Sequence, residues 1–304
     1  MPPSGSVIES IAIHRIVEIQ RQGRCVLAGL DPHEVLWMDG AGRCAEEAVC
    51  CVAGGNVRTA GAGEERFTLM SAVKPFLLLR VLECYGADTV AGWVDDEPSE
   101  LPYYSLEQLR ADDGKPRNAM LNSGAMLLAS KLPGEGPLEQ ERRFVAWLAS
   151  LAPEAALELD AACFDEVMQG GGDSANWDLA EELAGSRRVA SAADAYEIYF
   201  RICCLSGTIR DVAWLGHALA MTGPSDRARV LRAMSRCGLY EASVGWHAKT
   251  GLPAKSGVSG VMFGVWPGQG CVAACSPWLD RGGNPILPQT VLAELAAEFP
   301  PRHL

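Results

Sequence analysis

Residues 67–75 read FTLMSAVKP and lead from a loop into a strongly apolar helix, which we predict over residues 71–85. Ser71 is expected at the start of this helix and Lys74 one turn later on the same face, so that the two side chains are neighbours. Pro75 agrees with this placement, because a proline in the first turn loses only a hydrogen bond that a helix start cannot make. The helix dipole would favour charge on the Ser71 oxygen, and a lysine in apolar surroundings can lose its proton and serve as the base. A serine that only caps the helix fits the same pattern.

Lys255, Ser256 and Gly257 form a second motif, which opens a strand predicted over residues 257–265. In serine acyl-transfer enzymes of the β-lactamase-like group, a Lys-Ser/Thr-Gly strand edge lines the site opposite a Ser-x-x-Lys helix. The alternative for these three residues is a surface turn whose lysine serves solubility. The chain has both motifs, in that order and on those elements, and the pair favours serine acyl-transfer chemistry.

Strands are predicted towards both ends of the chain. Near the N-terminus we predict two short strands, over residues 24–30 and 35–38, which join at Asp31-Pro32. A helix over residues 44–53 and a loop over residues 54–65 follow them. Near the C-terminus, a strand over residues 270–275 follows the strand that starts at Gly257, and a helix over residues 288–299 closes the chain.

The middle of the chain is predicted to be helical, with helix-like spacing at residues 106–109, 119–131, 138–151, 177–184, 190–205, 209–219 and 226–234. Strands at both ends around a helical middle imply a discontinuous domain with an inserted one. We therefore predict a sheet-containing subdomain of residues 1–60 and 225–304. Residues 61–224 would form an inserted all-helical subdomain, with the active site between the two.

Composition limits the partners. The 26 basic and 38 acidic residues give a net charge of −12, and no run of lysines or arginines could neutralise a phosphate backbone. No stretch approaches the ~20 continuous apolar residues of a membrane span, and no basic region followed by an apolar one opens the chain. We predict a cytoplasmic protein that binds neither nucleic acid nor membrane.

The eleven cysteines suit a reduced interior better than a disulfide framework, because Cys50-Cys51 and Cys203-Cys204 are adjacent pairs. A zinc site at Cys44, Cys50 and Cys51 is the alternative. Its spacing matches no CxxC pair and no histidine follows nearby, so we predict no metal.

Long stretches between residues 67 and 285 resemble the glutaminase family, whose members have the β-lactamase-like fold. Residues 67–75 resemble its nucleophile segment and residues 97–99 its Glu-Pro-Ser turn. Residues 115–125, KPRNAMLNSGA, are similar to its Pro-x-Asn-Pro-Met-x-Asn-Ala-Gly-Ala run. Further matches follow in family order at residues 199–204, 237–240, 251–258 and 276–280. The resemblance implies an α+β fold, with an antiparallel sheet flanked by helices and an inserted all-helical domain.

The resemblance implies a serine-dependent amidohydrolase that acts on linear carboxamides, needs no cofactor and forms a dimer or tetramer. It would hydrolyse the side chain of glutamine or a glutamine-like substrate through an acyl-enzyme. Ser71 would be the nucleophile, Lys74 the general base and Tyr240 a proton relay. The amides of Ser71 and Val258 would form the oxyanion hole, which stabilises charge that develops during the reaction.

Further positions match family residues that bind the substrate. Asn122, Glu166 and Tyr199 would hold the α-amino and α-carboxylate groups, since a carboxylate suits an ammonium and neutral donors suit a carboxylate. A helix cap, a solvated surface charge and a core aromatic are the respective structural alternatives. Asn176 is the nearest equivalent of a further family asparagine. Lys255, Ser256 and Gly257 would line the pocket.

The chain departs from the family pattern in the substrate pocket. Ala28 and its neighbours offer no tyrosine where the family carries a Tyr-Ile-Pro segment, and glycines at residues 170–172 displace Asn176 by about three positions. Ala119 replaces a proline and Ser123 an alanine. We therefore predict that an amide other than plain glutamine is the preferred substrate.

Two alternatives remain open from the sequence. One is an acyltransferase, or a hydrolase of a different amide or ester, on the same Ser-Lys machinery. The other is a non-catalytic glutaminase-like binding protein, which the joint presence of Ser71, Lys74, Tyr240 and Lys255 disfavours. A penicillin-binding or β-lactamase role is disfavoured because the Ser-Asp-Asn element is absent.

Overall fold

The computed structural model describes residues 13–31, 35–37, 41–169, 174–221 and 225–302. Its helices are α1 (Ile13–Ala28), α2 (Lys74–Tyr85), α3 (Ala87–Trp93), α4 (Leu106–Ala111), α5 (Asn122–Ala129), α6 (Pro137–Leu151), α7 (Ala161–Gln169), α8 (Ser174–Gly185), α9 (Ala192–Cys203), α10 (Ile209–Ala220), α11 (Ser225–Cys237), α12 (Ser243–Thr250) and α13 (Ile286–Glu298). Its strands are β1 (Leu36–Trp37), β2 (Ala48–Ala53), β3 (Asn56–Gly61), β4 (Arg66–Thr68), β5 (Glu158–Leu159), β6 (Leu205–Thr208), β7 (Ala254–Ser256), β8 (Val261–Trp266), β9 (Gly270–Cys275) and β10 (Trp278–Leu279). An antiparallel sheet with many helices confirms the predicted α+β class.

The main sheet has five antiparallel strands in the order β3-β2-β9-β8-β7. Helix α10 packs on one face and α13 on the other. Gly216 of α10 lies so close to β9 that an added Cβ would meet the Cys271 sulfur at 2.2 Å. The predicted subdomain boundaries remain a prediction, and α10 packs on the sheet although its residues fall in the segment assigned to the helical part.

Strand β2 corrects the helix predicted over residues 44–53, and β3 corrects the loop predicted over residues 54–65. All six residues of β2, AVCCVA, are buried, and they alternate between the two cores on either side of the sheet. A strand that is buried on both faces shows no apolar-polar alternation, so its sequence resembles a buried helix. Gly54 and Gly55, both with positive φ, make the turn from β2 into β3.

Helix α1 corrects the strand predicted over residues 24–30. It packs along α13, where Ile16 is buried and the Arg15 Nε donates to Glu298 at 2.8 Å. Of the strand predicted over residues 35–38, Leu36 and Trp37 form β1, which pairs with β10. Pro32 and Met38 lie outside the described residues.

The predicted helices of the middle are confirmed as α4, α5, α6, α8, α9, α10 and α11, with shifted ends. The closing helix is confirmed as α13. The helix predicted to end at residue 205 stops at Cys203, because Leu205 begins β6, which pairs with β4 and β5. The sequence did not predict α3, α7, α12 or the three-stranded sheet of β4, β5 and β6.

The functional motifs meet where the helical part contacts the end strand of the main sheet. Helix α2 is buried along most of its length, and Phe76 stacks on Phe263 of β8 with ring centroids 5.7 Å apart. Strand β7 lies at the edge of the sheet next to the start of α2. None of the helices in the described part of the chain is both long enough and apolar enough to cross a membrane.

Candidate active site

Ser71 lies in a 3-10 turn, Met70–Val73, that leads directly into α2. The α-helix therefore begins at Lys74, three residues later than predicted. Met70 has a φ of 44°, in the left-handed region that residues with side chains rarely adopt. Such strain persists only where the surroundings enforce it, and it is frequent at functional sites. The Ser71 side chain is buried.

Lys74 is completely buried, and its ammonium group donates two hydrogen bonds. The acceptors are Asn122 Oδ1 at 2.7 Å and the Met120 carbonyl at 3.0 Å. Burial lowers the pKa of Lys74 to about 8, because the surrounding protein solvates the charged form less well than water does. An appreciable fraction of this lysine is therefore neutral near neutral pH, as a base requires.

Asn122 and Asn176 link the start of α5 to α8. The Asn122 Nδ2 donates to Asn176 Oδ1 at 2.8 Å, and both side chains are buried. Asn118 fixes the approach to Asn122, since its Oδ1 accepts from the Met120 amide at 2.9 Å and the Leu121 amide at 3.1 Å. Asn122 therefore connects Asn176 to Lys74, although the glycines at residues 170–172 displace Asn176 in the sequence.

Lys255 is also completely buried, on β7. Its Nζ donates to the carbonyls of Gly238 at 2.8 Å and Ser256 at 2.7 Å. Burial, together with the nearby charge of Lys74, lowers the pKa of Lys255 well below its usual value. The Ser256 hydroxyl donates to Asn284 Oδ1 at 2.6 Å. Lys255 and Ser256 therefore face the interior of the site rather than forming a surface turn.

Gly257 touches the turn that carries Ser71. A Cβ added at Gly257 would lie 2.7 Å from the Leu69 carbonyl oxygen and 3.4 Å from the Ala72 nitrogen. Only glycine permits this approach without displacement of backbone. The contact places Val258, the next residue, beside the Ser71 turn.

Tyr240 is buried at the start of a 3-10 turn and has a φ of 54°. Its hydroxyl makes no hydrogen bond within the described part of the structure. The Lys255 Nζ lies 4.4 Å from the centroid of the Tyr240 ring. The centroids of the Tyr103 and Tyr240 rings are 4.3 Å apart. Burial raises the pKa of Tyr240, whereas the hydroxyls of Ser71 and Ser256 lower it. The three hydroxyls therefore lie close to one another.

Tyr199 and Glu166 occupy different surroundings. Tyr199 is buried on α9, where burial raises the pKa of its hydroxyl well above the usual value, and the Lys74 Nζ lies 5.8 Å from its ring centroid. Glu166 is exposed on α7. Its carboxylate lies near the guanidinium of Arg43, a half-buried residue that also contacts Val258. The structure thus puts Tyr199 beside the lysine and Glu166 at the rim.

Three residues that the sequence did not single out also contact this cluster: Arg43, Tyr103 and Asn284. Arg43 donates to the Val258 carbonyl, which is 215 residues further along the chain. No local motif marks any of the three, so spacing alone could not have identified them. Cys44 lies near Cys275. Within the described ranges, no group of three or more His, Cys, Asp or Glu residues is arranged to hold a metal ion.

Comparisons with known proteins identify what this chain is similar to. The model of the glutaminase family matches residues 46–302. A glutaminase of Synechocystis sp. is 39% identical over 255 residues, which cover 82% of this chain and 77% of the relative. A crystal structure of a probable glutaminase of Bacillus subtilis superposes with a TM-score of 0.84 at 25% identity, over 94% of this chain and 96% of the other.

A further crystal structure shares the fold, with a TM-score of 0.79 at 24% identity, over 93% of this chain and 96% of the other. It is the covalent complex of a Bacillus subtilis glutaminase with 5-oxo-L-norleucine, formed by reaction with 6-diazo-5-oxo-L-norleucine.

Proposed function

The chain belongs to the glutaminase family of amidohydrolases, and from this premise we propose that it hydrolyses a side-chain carboxamide through an acyl-enzyme on Ser71. The substrate is glutamine or a glutamine-like amide, and the products are a carboxylate and ammonia. The observation that carries the proposal is the buried Lys74, whose pKa of about 8 makes it a competent base one turn after a buried serine.

The hydrogen bonds of Lys74 support its role as base. A neutral amine has two N–H groups and one lone pair. Asn122 and the Met120 carbonyl accept the two N–H groups. The lone pair therefore remains available for the proton of the Ser71 hydroxyl, and the serine oxygen then attacks the carbonyl carbon of the amide.

Attack on the carboxamide creates negative charge on its oxygen, and backbone amides of Ser71 and Val258 are proposed to stabilise it. The close contact of Gly257 with the Ser71 turn supports this assignment, because it holds the two segments together. The Val258 amide has no backbone acceptor among the described residues. It is therefore free to bind the substrate oxygen.

Tyr240 is proposed to deliver the proton that lets ammonia leave. Its hydroxyl lies in a group with Ser71 and Ser256, and burial keeps it protonated by raising its pKa. Tyr240 then takes from Lys74 the proton that Lys74 removed from Ser71, so that Tyr240 is protonated and Lys74 is neutral again. Water then attacks the acyl-enzyme, with Lys74 again the base, and releases the carboxylate.

Substrate recognition is proposed to involve Asn122, Asn176, Tyr199 and Glu166. Glu166 carries negative charge at the rim and suits the α-ammonium of a substrate. Asn122, Asn176 and Tyr199 are neutral groups around Lys74 and suit the carboxylate.

The cytoplasmic location remains a proposal, as does the dimer or tetramer that the family resemblance implies. Light scattering of the purified protein measures the assembly.

Reaction with 6-diazo-5-oxo-L-norleucine tests the nucleophile. We expect a single covalent adduct by intact-protein mass spectrometry, which peptide mapping places on Ser71. The Ser71→Ala protein should not react, whereas Ser235→Ala, which removes a buried serine hydroxyl that donates to the Leu231 carbonyl, should react like the unmodified protein. An adduct on a cysteine would overturn the serine mechanism.

Lys74→Met provides the second half of this test. Without its base the serine alcohol is a weak nucleophile, so we expect labelling and ammonia release to fall by about a hundredfold or more. Undiminished labelling in a folded Lys74→Met protein would assign the base to another group.

A further inference from the structure

The turn that carries Val258, residues 257–260, has glycine at both ends. Gly260 has a φ of 103°, which residues with side chains rarely adopt, and Val258 is only partly buried. Glycine-rich turns have many accessible conformations unless outside contacts hold them. A donor in an oxyanion hole must nevertheless stay within about 0.5 Å of its productive position. The contacts that hold this turn therefore help to fix the geometry of the active site.

Residues 42–44, called here the bracket segment, begin beside the strand that leads to Ser71. The Gly42 carbonyl accepts hydrogen bonds from the Thr68 amide and the Thr68 hydroxyl, both at 2.8 Å. Gly42 has a φ of 72°, and a Cβ there would meet the Thr68 side chain at 2.4 Å. One end of the bracket segment is thus fixed three residues before the proposed nucleophile.

The other end of the bracket segment is fixed to the turn of Val258. The Cys44 amide donates to the Ser259 carbonyl at 2.9 Å, and the Arg43 Nη1 donates to the Val258 carbonyl. Gly260 also packs on Cys44, since a Cβ at Gly260 would lie 3.3 Å from the Cys44 Cβ. Consecutive residues therefore connect the segment that carries one proposed oxyanion donor with the turn that carries the other.

We propose that Arg43 is a positioning residue of the oxyanion hole, which holds the Val258 turn at a fixed distance from Ser71. The proposal rests on the assignment of Ser71 and Val258 to the oxyanion hole made above. Arg43 acts through the Val258 carbonyl and not by contact with the reacting atoms. Loss of its hydrogen bond would let the turn move away from Ser71, and a displacement of about 1 Å typically costs on the order of a hundredfold in rate.

Arginine suits this position for two reasons. Its guanidinium presents five N–H donors in a rigid plane, so it can hold a carbonyl at a defined angle. It also remains charged in partly buried surroundings: burial lowers the pKa of Arg43, while the nearby Cys163, Tyr103 and Glu166 favour the charged form. Lysine would keep the charge and lose the planar geometry.

Steady-state kinetics of Arg43→Met, Arg43→Gln and Arg43→Lys test the proposal. We expect Arg43→Met to lower kcat by about tenfold to a hundredfold with KM within about twofold, because the transition state alone uses the oxyanion hole. Arg43→Gln, which keeps a neutral donor, should retain more activity than Arg43→Met. Arg143→Met removes a surface arginine that pairs with Glu139 in its own helix and should match the unmodified protein. A rise in KM with unchanged kcat would make Arg43 a substrate contact and overturn the proposal.

Hydrogen exchange separates this proposal from the proposed function. The Gly257 amide donates to the Val261 carbonyl at 2.8 Å and the Gly260 amide to the Gly257 carbonyl at 3.0 Å, so both report on the turn. In Arg43→Met we expect peptides that span residues 257–261 to exchange at least about tenfold faster, with unchanged exchange in the main sheet. Unchanged exchange at residues 257–261 would overturn the proposal whatever the activity. Absence of amide hydrolysis by the unmodified protein would instead overturn the proposed function, while exchange still decides whether Arg43 holds the turn.

Discussion

Lys74 and Asn122 are joined by a 2.7 Å hydrogen bond in which the lysine Nζ donates to the asparagine Oδ1. This contact fixes the orientation of the Asn122 amide, whose Nδ2 is directed to Asn176 at 2.8 Å. One asparagine therefore connects the proposed base to a residue proposed to bind substrate. Asn122 is also uncharged, and this matters because a carboxylate in its place would stabilise the ammonium form of Lys74.

Asn122→Asp should shift the pH dependence of activity towards higher pH. In the unmodified protein the pKa of Lys74 at about 8 predicts that kcat/KM rises with pH up to about 8 and then levels, because the neutral amine is the base. A buried carboxylate beside Lys74 raises the pKa of the lysine, so the rise should move up by at least about one unit. Activity at pH 7 should fall by about tenfold. A pH profile of ammonia release measures both effects, and an unshifted profile would place the base elsewhere.

Lys74→Met should remove a pH dependence of stability. Lys74 has a pKa of about 8 when folded and 10.5 as its ordinary value, so between these values the unfolded chain holds a proton that the folded chain has released. Stability therefore rises with pH across this window, by about 3 kcal/mol in total for a fully buried lysine. Urea unfolding of both proteins from pH 7.5 to 10.5 gives the difference. A constant difference across this range would contradict the lowered pKa.

Local motifs predicted part of the candidate site, and long-range contacts placed further residues beside it. Ser71 and Lys74 could be paired from sequence because one helical turn joins them. Asn176 could not be placed by spacing, since its link to Asn122 spans 54 residues. The strand β2 was predicted as a helix because the two cores bury both of its faces, which removes the alternation that identifies a strand.

Gly257→Ala should lower the activity, because the new side chain would displace backbone beside Ser71. The new Cβ would lie 2.7 Å from the Leu69 carbonyl oxygen, so the end of β7 and the Ser71 turn must separate. We expect kcat to fall by more than about tenfold and the melting temperature to drop. Gly245→Ala in α12 is the matched control, because its Cβ meets nothing within 4 Å and alanine favours a helix. Equal activity of the two variants would show that the contact is not needed.

Tyr240→Phe should lower kcat and kcat/KM together by about a hundredfold, with little change in KM, because the hydroxyl is proposed to move a proton rather than to bind substrate. The fold should survive, since the Tyr240 hydroxyl makes no hydrogen bond within the described ranges and the ring contacts with Tyr103 and Lys255 remain. Tyr196→Phe, which alters another buried tyrosine on α9, is the control and should keep its kcat. An increase in KM alone for Tyr240→Phe would recast the residue as a substrate contact.

The substrate preference of this protein depends on the positions that depart from the family pattern. Asn176 reaches Asn122 despite the glycines before it, which themselves lie outside the described residues at 170–172. Asn118 holds the segment that follows Ala119, because its Oδ1 accepts from the Met120 and Leu121 amides. The absence of a tyrosine near Ala28 therefore remains as the main departure, and Ala28 is exposed at the end of α1.

A missing hydrogen bond to a buried polar group of the substrate costs ~1–3 kcal/mol, which corresponds to about tenfold to a hundredfold in kcat/KM. We therefore expect a carboxamide with an altered α-amino or α-carboxylate end to match or exceed glutamine. The measurement is kcat/KM for glutamine against N-acylated, α-amidated and chain-altered analogues on one enzyme preparation, with Ser71→Ala as the blank. If glutamine exceeds every analogue by about tenfold or more, the pocket retains full specificity for glutamine.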